Sequence, residues 1–417
     1  MPLAQKRLYT MKVSCQCFPA AEQSTQLRAD GSAFGRLEWC SSLFSLPKTP
    51  PTCLFHSTMV AAPPSPPSTN TTAPLGSLSK YESVDLTAHI GTRFPSAATT
   101  QLSQLLTAPN SDELIKDLAT LVSHRGVVFF SAQDLTLDQQ KELGRRLGRL
   151  AGNPESSGLH VHPISEDTPE IAKDVSIITS EENGIARTGY KRNQRAAASW
   201  HTDITFEPVP SDYAILKMHT LPPVGGDTLW ASGYEAYDKL SPAYQKFLET
   251  LTALHSGAGF IELAQRIGRT INEPRGSPEN VGTHLTAIHP VIRTHPVTGY
   301  KTLFVNKTFT EKIVELTDDE SEDILAYLAR HVSENHDMQV RYTWATNDVA
   351  IWDNRCTFHT ATNDYAAGQL RAGNRVVSIG EKPYLDPAAP SRRQALGMDL
   401  YEVPSVKGVL RSKGLMM

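Results

Sequence analysis

Two periodicities alternate along the middle of this chain. In SDELIKDLATLVSHRGVVFF, which begins at Ser111, Leu114, Leu118, Leu121 and Val122 recur at helical spacing, Gly126 ends the pattern, and Val127–Phe130 is continuously apolar. The spacing predicts a helix, a turn and a short buried strand. LTLDQQKELGRRLGRL follows, with Thr136 and Gln139 placed as a capping box at the head of a second helix. From His160 onward the pattern changes to short β-rich runs bounded by turn residues: LHVHP, YAILKMHTL, DTLWA, KTLFVN, MQVRYTW, VAIWD and RVVSIGE. Two helices interrupt them. One is capped by Ser241 with Pro242 at its first position. The other opens with Thr317 and Glu320 and turns Ile324, Leu325, Leu328 and Val332 inward.

Many short strands with a few covering helices predict a mostly β fold with flanking helices, of the jelly-roll (double-stranded β-helix, cupin-like) type. A dinucleotide-binding sheet is excluded, because βα alternation is missing and no G-x-G-x-x-G follows a strand. There is no internal repeat.

Composition narrows the classes further. The 417 residues carry a net charge of −4, with 40% hydrophobic and 20% charged residues, as in ordinary soluble globular proteins. Neither nucleic acid nor an anionic membrane is an expected partner, and no apolar run approaches the ~20 residues of a membrane helix. Cys15, Cys17, Cys40 and Cys53 all precede residue 54, leaving Cys356 alone in the rest. The main domain therefore folds without disulfides, which points to a reducing compartment.

Residues 1–80 are rich in Ser, Pro, Thr and Ala, and the run AAPPSPPSTNTTAP (61–74) can bury almost nothing. Residues 1–58 hold six Lys/Arg against three acids. They read as a leader without function of its own, with an organelle transit peptide as the alternative; Met59 would serve equally well as a start. The expected organisation is a disordered leader over 1–80, one domain over 81–390 and a tail over 391–417. The expected setting is the cytoplasm, or the mitochondrion if 1–58 is a genuine transit peptide.

The candidate chemistry starts at SWHTDITF. On a strand, His201 and Asp203 would project from one face with Thr202 turned away. One imidazole and one carboxylate leave a divalent ion under-coordinated, and a 2-His-1-carboxylate triad needs a second histidine. Most of the fourteen histidines have bland explanations. His359 is different, because it follows a buried strand and the polar turn Asp353, Asn354 and Arg355, well placed to reach a site at the mouth of a jelly roll. Asn354 and Arg355 are expected to fix the turn that aims it. His160 reads as structural, and Trp230, Trp344 and Trp352 as packing residues.

Taken together, WHTDITF (200–206), GGDTLWASG (225–233), HPVIRTHPVTGYKTLFVN (289–306), WDNRCTFH (352–359) and RAGNR (371–375) resemble the taurine dioxygenase family. Its members are Fe(II)- and 2-oxoglutarate-dependent oxygenases on a jelly roll, and the resemblance runs from about Tyr81 to Tyr384. It implies that His201, Asp203 and His359 are the iron ligands, and that Thr228 and Arg371 hold the carboxylate of 2-oxoglutarate. It further implies that Arg375, His162 and Phe309 line the substrate pocket. Arg371 and Arg375 are four apart, so both would face inward on a strand, with Gly373 between them able to take a bulge.

The implied reaction consumes O2, decarboxylates 2-oxoglutarate to succinate and hydroxylates a small anionic substrate. An alkyl sulfonate such as taurine would release sulfite and an aldehyde. A sulfate ester, an aryloxyalkanoate or another carboxylate are rival substrates, and a catalytically silent jelly-roll binding protein is a rival of another class. A homodimer is open. The chain departs from the family in three places: the loop between His359 and Arg371 is one residue longer, Ser165 stands where a pocket tyrosine is expected, and residues 257–283 match poorly.

Overall fold

The structure is a computed structural model that describes residues 73–165, 172–181 and 195–398. The leader up to residue 72 and the tail from residue 399 lie outside the described residues. Within them, two expected boundaries move. A 3-10 turn at Gly76–Lys80 precedes Tyr81, with Leu78 buried and the Ser77 hydroxyl donating to Asp117 at 2.7 Å. At the other end, Ser391 caps a helix at Arg392–Leu396, and the buried Arg392 and neighbouring Arg393 both pair with the buried carboxylate of Glu235. One apolar side chain in front and an ion-paired arginine behind extend the packed domain past both expected edges.

The largest sheet has seven strands, in the order Val84–Asp85, Thr92–Phe94, Val127–Phe130, Val349–Asp353, Ser211–Thr220, Ala372–Ile379 and Ser176–Thr179. Among the described residues, only Thr92–Phe94 and Val127–Phe130 pair in parallel. A smaller sheet sets Thr228–Ser232 between Gln339–Tyr342 and Thr357–Ala361. A third places Thr252–Ser256 between Thr310–Ile313 and Thr286–Pro290, and Ile292–Thr294 forms a hairpin with Lys301–Leu303.

Strand alternation decides how these layers stack. Phe129, Leu216, Ala350, Trp352 and Val377 on one face of the large sheet meet Trp230, Val340 and Tyr342 of the small sheet in a single buried cluster. Phe129 and Tyr342 stack across the gap with ring centroids 4.0 Å apart. The alternate residues Val128, Phe130, Ile215 and Ile351 turn outward onto Leu114, Leu118, Leu121, Leu143 and Leu147 of the helices Ser111–Arg125 and Leu137–Leu150. On the far side, Ala231 and Phe358 of the small sheet pack against Leu328 and Val332 of the helix Asp318–Glu334. The two sheets thus face each other and helices cover both outer faces. Among the described residues no helix is long and apolar enough to cross a membrane.

Local signals account for the element ends. Both expected capping boxes, Thr136 with Gln139 and Thr317 with Glu320, are formed. Gly126 ends its helix at φ 73°, a conformation that costs a Cβ-bearing residue far more. LHVHP departs from expectation. It is not a regular strand but an extended segment tied to the large sheet by one bridge, Leu159 to Ser378. Pro163 has no N–H to continue a ladder, and the carbonyls of His162 and Pro163 are taken by Asn272. KTLFVN is strand only over Lys301–Leu303.

Candidate active site

The chain leaves the large sheet at Asp353 and enters the small one at Thr357, so the turn through Asn354, Arg355 and Cys356 crosses from one sheet to the other. His359 follows on the edge strand Thr357–Ala361, opposite Trp230 of the central strand. It exchanges both backbone hydrogen bonds with His201, at 3.0 and 2.8 Å, in a single antiparallel bridge. Beyond that bridge HTDITF turns instead of continuing as the expected strand, and Ile204 sits at φ 65°. Three contacts hold the turn. The Thr202 hydroxyl donates to the Thr357 carbonyl at 2.8 Å, the Asp203 N–H donates to Asn354 Oδ1 at 3.2 Å, and Ser211 donates to the Asp203 carbonyl at 2.8 Å. Asn354 Oδ1 also accepts from the Trp352 indole at 3.0 Å, so the asparagine expected to aim His359 also fixes Asp203.

The outcome is convergence. His201 Nε2 lies 3.7 Å and His359 Nε2 3.9 Å from the two carboxylate oxygens of Asp203, and one ligand atom from each residue falls within 4.8 Å of the others. His201 Nδ1–H donates to the Ser199 carbonyl at 2.8 Å, which leaves the Nε2 lone pair directed at the centre. Burial holds the His359 imidazole well below its ordinary pKa and therefore neutral. Burial alone would raise the Asp203 carboxyl. The Arg375 guanidinium, whose Nη1 donates to both oxygens at 3.0 and 3.1 Å, instead holds it far below the usual carboxylate range. Two imidazoles and an ionised carboxylate are the donor set of an open divalent site.

Another close group, His295, Asp353 and Cys356, is satisfied internally. His295 Nε2 meets Asp353 at 2.9 Å, its Nδ1 accepts from the Val297 and Thr298 N–H groups, and Arg355 already neutralises Asp353.

Arg371 stands just before the strand Ala372–Ile379, where the register shifts between Ala372 and Gly373. A Cβ at Gly373 would meet the Lys217 carbonyl oxygen within 2.4 Å. The Arg371 guanidinium is buried; Nε donates to the Gly226 carbonyl at 2.8 Å and Nη2 to Thr228 Oγ1 at 3.1 Å. Thr228 Oγ1 also accepts from Trp344 Nε1 at 3.0 Å. With both lone pairs engaged, the hydroxyl proton can only be donated outward, beside a guanidinium. Thr228 shares a face of the small sheet with Trp230 and His359, so the pair lies along the same inner surface as the triad.

Ring contacts join the expected substrate residues to the group of His201, Asp203 and His359. His162 meets Phe260 edge-on at 4.8 Å, Phe260 meets Phe206 at 5.5 Å, Phe206 meets Phe309 at 5.2 Å, and Phe309 meets His201 at 6.1 Å. Phe309 is set by the Ser256 N–H on its carbonyl at 2.7 Å. Burial, reinforced by Arg375, pushes His162 down to about 4, so it is a neutral hydrogen-bonding group. All eight residues singled out in the sequence therefore lie on one inner surface or its aromatic wall.

Four more residues stand beside these groups, two of them expected from the sequence to be structural or packing residues. Phe260 falls in the poorly matched segment 257–283 and carried no signal. Phe206 stood inside a quoted motif without a role. Trp344 hydrogen-bonds Thr228 and does more than pack. His160 is buried beside His162, with rings 6.1 Å apart and its Nε2 without a partner among the described residues.

Residues 83–377 match the family described as taurine catabolism dioxygenase TauD, TfdA family. The chain belongs to the TauD/TfdA family. It is similar to the alpha-ketoglutarate-dependent dioxygenase oryG of Aspergillus oryzae, 45% identical over 326 residues, covering 77% of this chain and 94% of the relative. It is also similar to an alpha-ketoglutarate-dependent sulfonate dioxygenase of Saccharomyces cerevisiae, 35% identical, covering 66% of this chain and 63% of the relative. Among solved structures, a taurine dioxygenase from Burkholderia xenovorans superposes with a TM-score of 0.56 at 26% identity, covering 74% of this chain and 93% of that one. As a TauD/TfdA member the chain is a 2-oxoglutarate-dependent dioxygenase, an oxidoreductase that uses Fe(II), 2-oxoglutarate and O2. The donor set described above fits that metal, and a buried guanidinium beside an outward-donating hydroxyl fits a carboxylate. The expected alternative of a silent binding protein falls with the family assignment.

Proposed function

We propose that this dioxygenase hydroxylates a small organic monoanion, with an alkyl sulfonate as the leading class, on a double-stranded β-helix formed by the large and small sheets. His201, Asp203 and His359 would hold iron(II). Thr228 and Arg371 would receive the distal carboxylate of 2-oxoglutarate. Arg375, His162 and Phe309, with Phe206 and Phe260, would form the substrate side. When bound, the iron and cosubstrate supply oxygen activation and insertion into a C–H bond. The chain's own residues hold the cosubstrate, orient the substrate and keep water from the reacting centre.

The observation that carries this reading is Arg375 seated on Asp203 with neutral imidazoles around it. Iron(II), a 2-oxoglutarate dianion, Asp203 and the two arginines together leave one positive charge in a buried site. A single negative charge on the substrate balances it, whereas a dianion or a cation leaves a desolvated charge unpaired. The three phenylalanines suit an apolar body behind the anionic head. The yeast relative's name supports the sulfonate class, and hydroxylation next to sulfur would then release sulfite and an aldehyde.

The test is a panel of alkyl sulfonates, sulfate esters, aryloxyalkanoates and other carboxylates, with dianionic phosphonates included. It is scored by 2-oxoglutarate consumption and sulfite release. Monoanions should stimulate consumption and phosphonates should not. Sulfate esters or carboxylates turning over faster than every sulfonate would move the substrate class while keeping the site; stimulation only by phosphonates would overturn the proposal.

A further inference from the structure

The loop between His359 and Arg371 carries a residue that reaches back to the turn against which Arg371 rests. Asp364 Oδ1 accepts from the Gly226 N–H at 2.9 Å and from the Thr362 hydroxyl at 2.7 Å, while Oδ2 meets Arg341 Nη2 at 3.2 Å. The carbonyl of that same Gly226 accepts from Arg371 Nε at 2.8 Å. One peptide turn is therefore gripped on one side by Asp364 and supports the guanidinium on the other.

The turn is shaped for this double contact. Gly225 and Gly226 have φ of 84° and 76°, where a side chain is strained. A Cβ on Gly225 would lie 2.8 Å from Asp364 Oδ1, and one on Gly226 would lie 2.9 Å from Arg371 Cδ. The pair is squeezed between the two residues. Arg341 also donates through Nε to Asp227 at 2.6 Å, and the Thr362 N–H donates to the Asp227 carbonyl at 2.8 Å, so the next residue is held by the same loop.

We infer that Asp364 is a positioning residue for cosubstrate binding: its carboxylate fixes the Gly225–Gly226 turn, and through the Gly226 carbonyl it sets where the Arg371 guanidinium meets the distal carboxylate of 2-oxoglutarate. The inference rests on the reading of Arg371 as the clamp. The acting group is the acceptor oxygen on Gly226, with the ion pair to Arg341 secondary. Asp364 is half-exposed, so its effect is on placement and not on the fold.

The experiment is an anaerobic titration of the full-length Fe(II) protein with 2-oxoglutarate, followed by the visible charge-transfer band, for the wild type, Asp364→Ala, Asp364→Asn and Arg371→Ala. Losing one such hydrogen bond should raise the 2-oxoglutarate Kd of Asp364→Ala roughly three- to ten-fold. Asp364→Asn, which keeps an acceptor for Gly226 but no charge for Arg341, should recover most of it. The Mn(II) Kd and Tm of both should stay at wild-type values. An unchanged cosubstrate Kd in Asp364→Ala overturns the inference. So does Asp364→Asn being as weak as alanine, or equal losses of metal and cosubstrate affinity. If Arg371→Ala also leaves the Kd unchanged, the clamp assignment itself has failed and the inference falls with it; if Arg371→Ala weakens binding and Asp364→Ala does not, only the role of Asp364 is wrong.

Discussion

Thr228 owns one hydroxyl, and two donors compete for its oxygen. Because Trp344 and Arg371 both donate to it, its proton is committed to whatever lies opposite. Trp344→Phe keeps the apolar bulk and removes one donor. It should raise the KM for 2-oxoglutarate several-fold, by the ~0.5–1.5 kcal/mol of a net hydrogen bond, with little change in Tm. Equal KM values in steady-state assays would show that the indole only packs. At the proposed metal site, Asp203→Asn keeps the shape but removes the charge that pairs with Arg375 and that the ion would share. Fe(II) binding followed by calorimetry should be lost, along with all 2-oxoglutarate turnover, while the variant stays folded. The grouping of His201, Asp203 and His359 was legible in the sequence because a short motif and one histidine after a buried strand stand inside a family resemblance. The task of Trp344 was not, since only the fold brings its indole to a threonine on the neighbouring strand.

The segment 257–283 shows what an element can do without a recognisable motif. Its helix Ala258–Arg266 delivers Phe260 to the ring of His162. Farther on, Asn272 Nδ2 donates to the carbonyls of His162 and Ser165 at 2.9 and 2.8 Å, clasping the turn on which His162 stands. Arg275 anchors the segment through a fully buried ion pair with Glu207, four residues past Asp203. Arg275→Met leaves Glu207 buried and unpaired, and should cost ~3–5 kcal/mol in chemical denaturation. Adding Glu207→Leu should return much of that stability. A double variant no better than the single one would mean that the pair is not the source of the loss. At this scale the helices were the most legible elements, because their caps and apolar stripes are local. HTDITF and LHVHP were misread as strands for the opposite reason. Their hydrogen bonds go to Thr357, Asn354, Val377 and Asn272, all distant in sequence, and no local periodicity records such partners.

The described domain stacks helix, sheet, sheet and helix, and it buries several histidines as neutral groups. His124, His162 and His289 are each pushed down to about 4, chiefly by burial. Unfolded, these imidazoles would bind protons near pH 6.5. The unfolded state therefore takes up more protons as pH falls below that value, and stability present above about pH 6.5 is lost progressively toward pH 4. Asp238, pushed up to about 6 by burial, works in the opposite direction over the same window, as do Glu207 and Asp212, but eight described histidines are held low against these three carboxyls. Thermal melts between pH 7.5 and 4 should show Tm falling through this range. A flat or rising profile would mean that these imidazoles are not neutral in the native protein.

The layered fold was legible as a class, since short strands and covering helices leave few alternatives. The crossing of the Asn354 turn from one sheet to the other was not legible, although it sets His359 on the small sheet opposite Trp230.

His201 and His359, far apart along the chain, are joined by both hydrogen bonds of one backbone rung. Their spacing is thus a property of the scaffold and persists whether or not an ion sits between them. Stripping the iron with a chelator should leave the circular-dichroism spectrum unaltered, and cobalt, nickel or manganese should enter the same frame without refolding. Differences in activity among such reconstituted forms would then report the electronic character of each ion, because the protein offers all of them identical nitrogen positions.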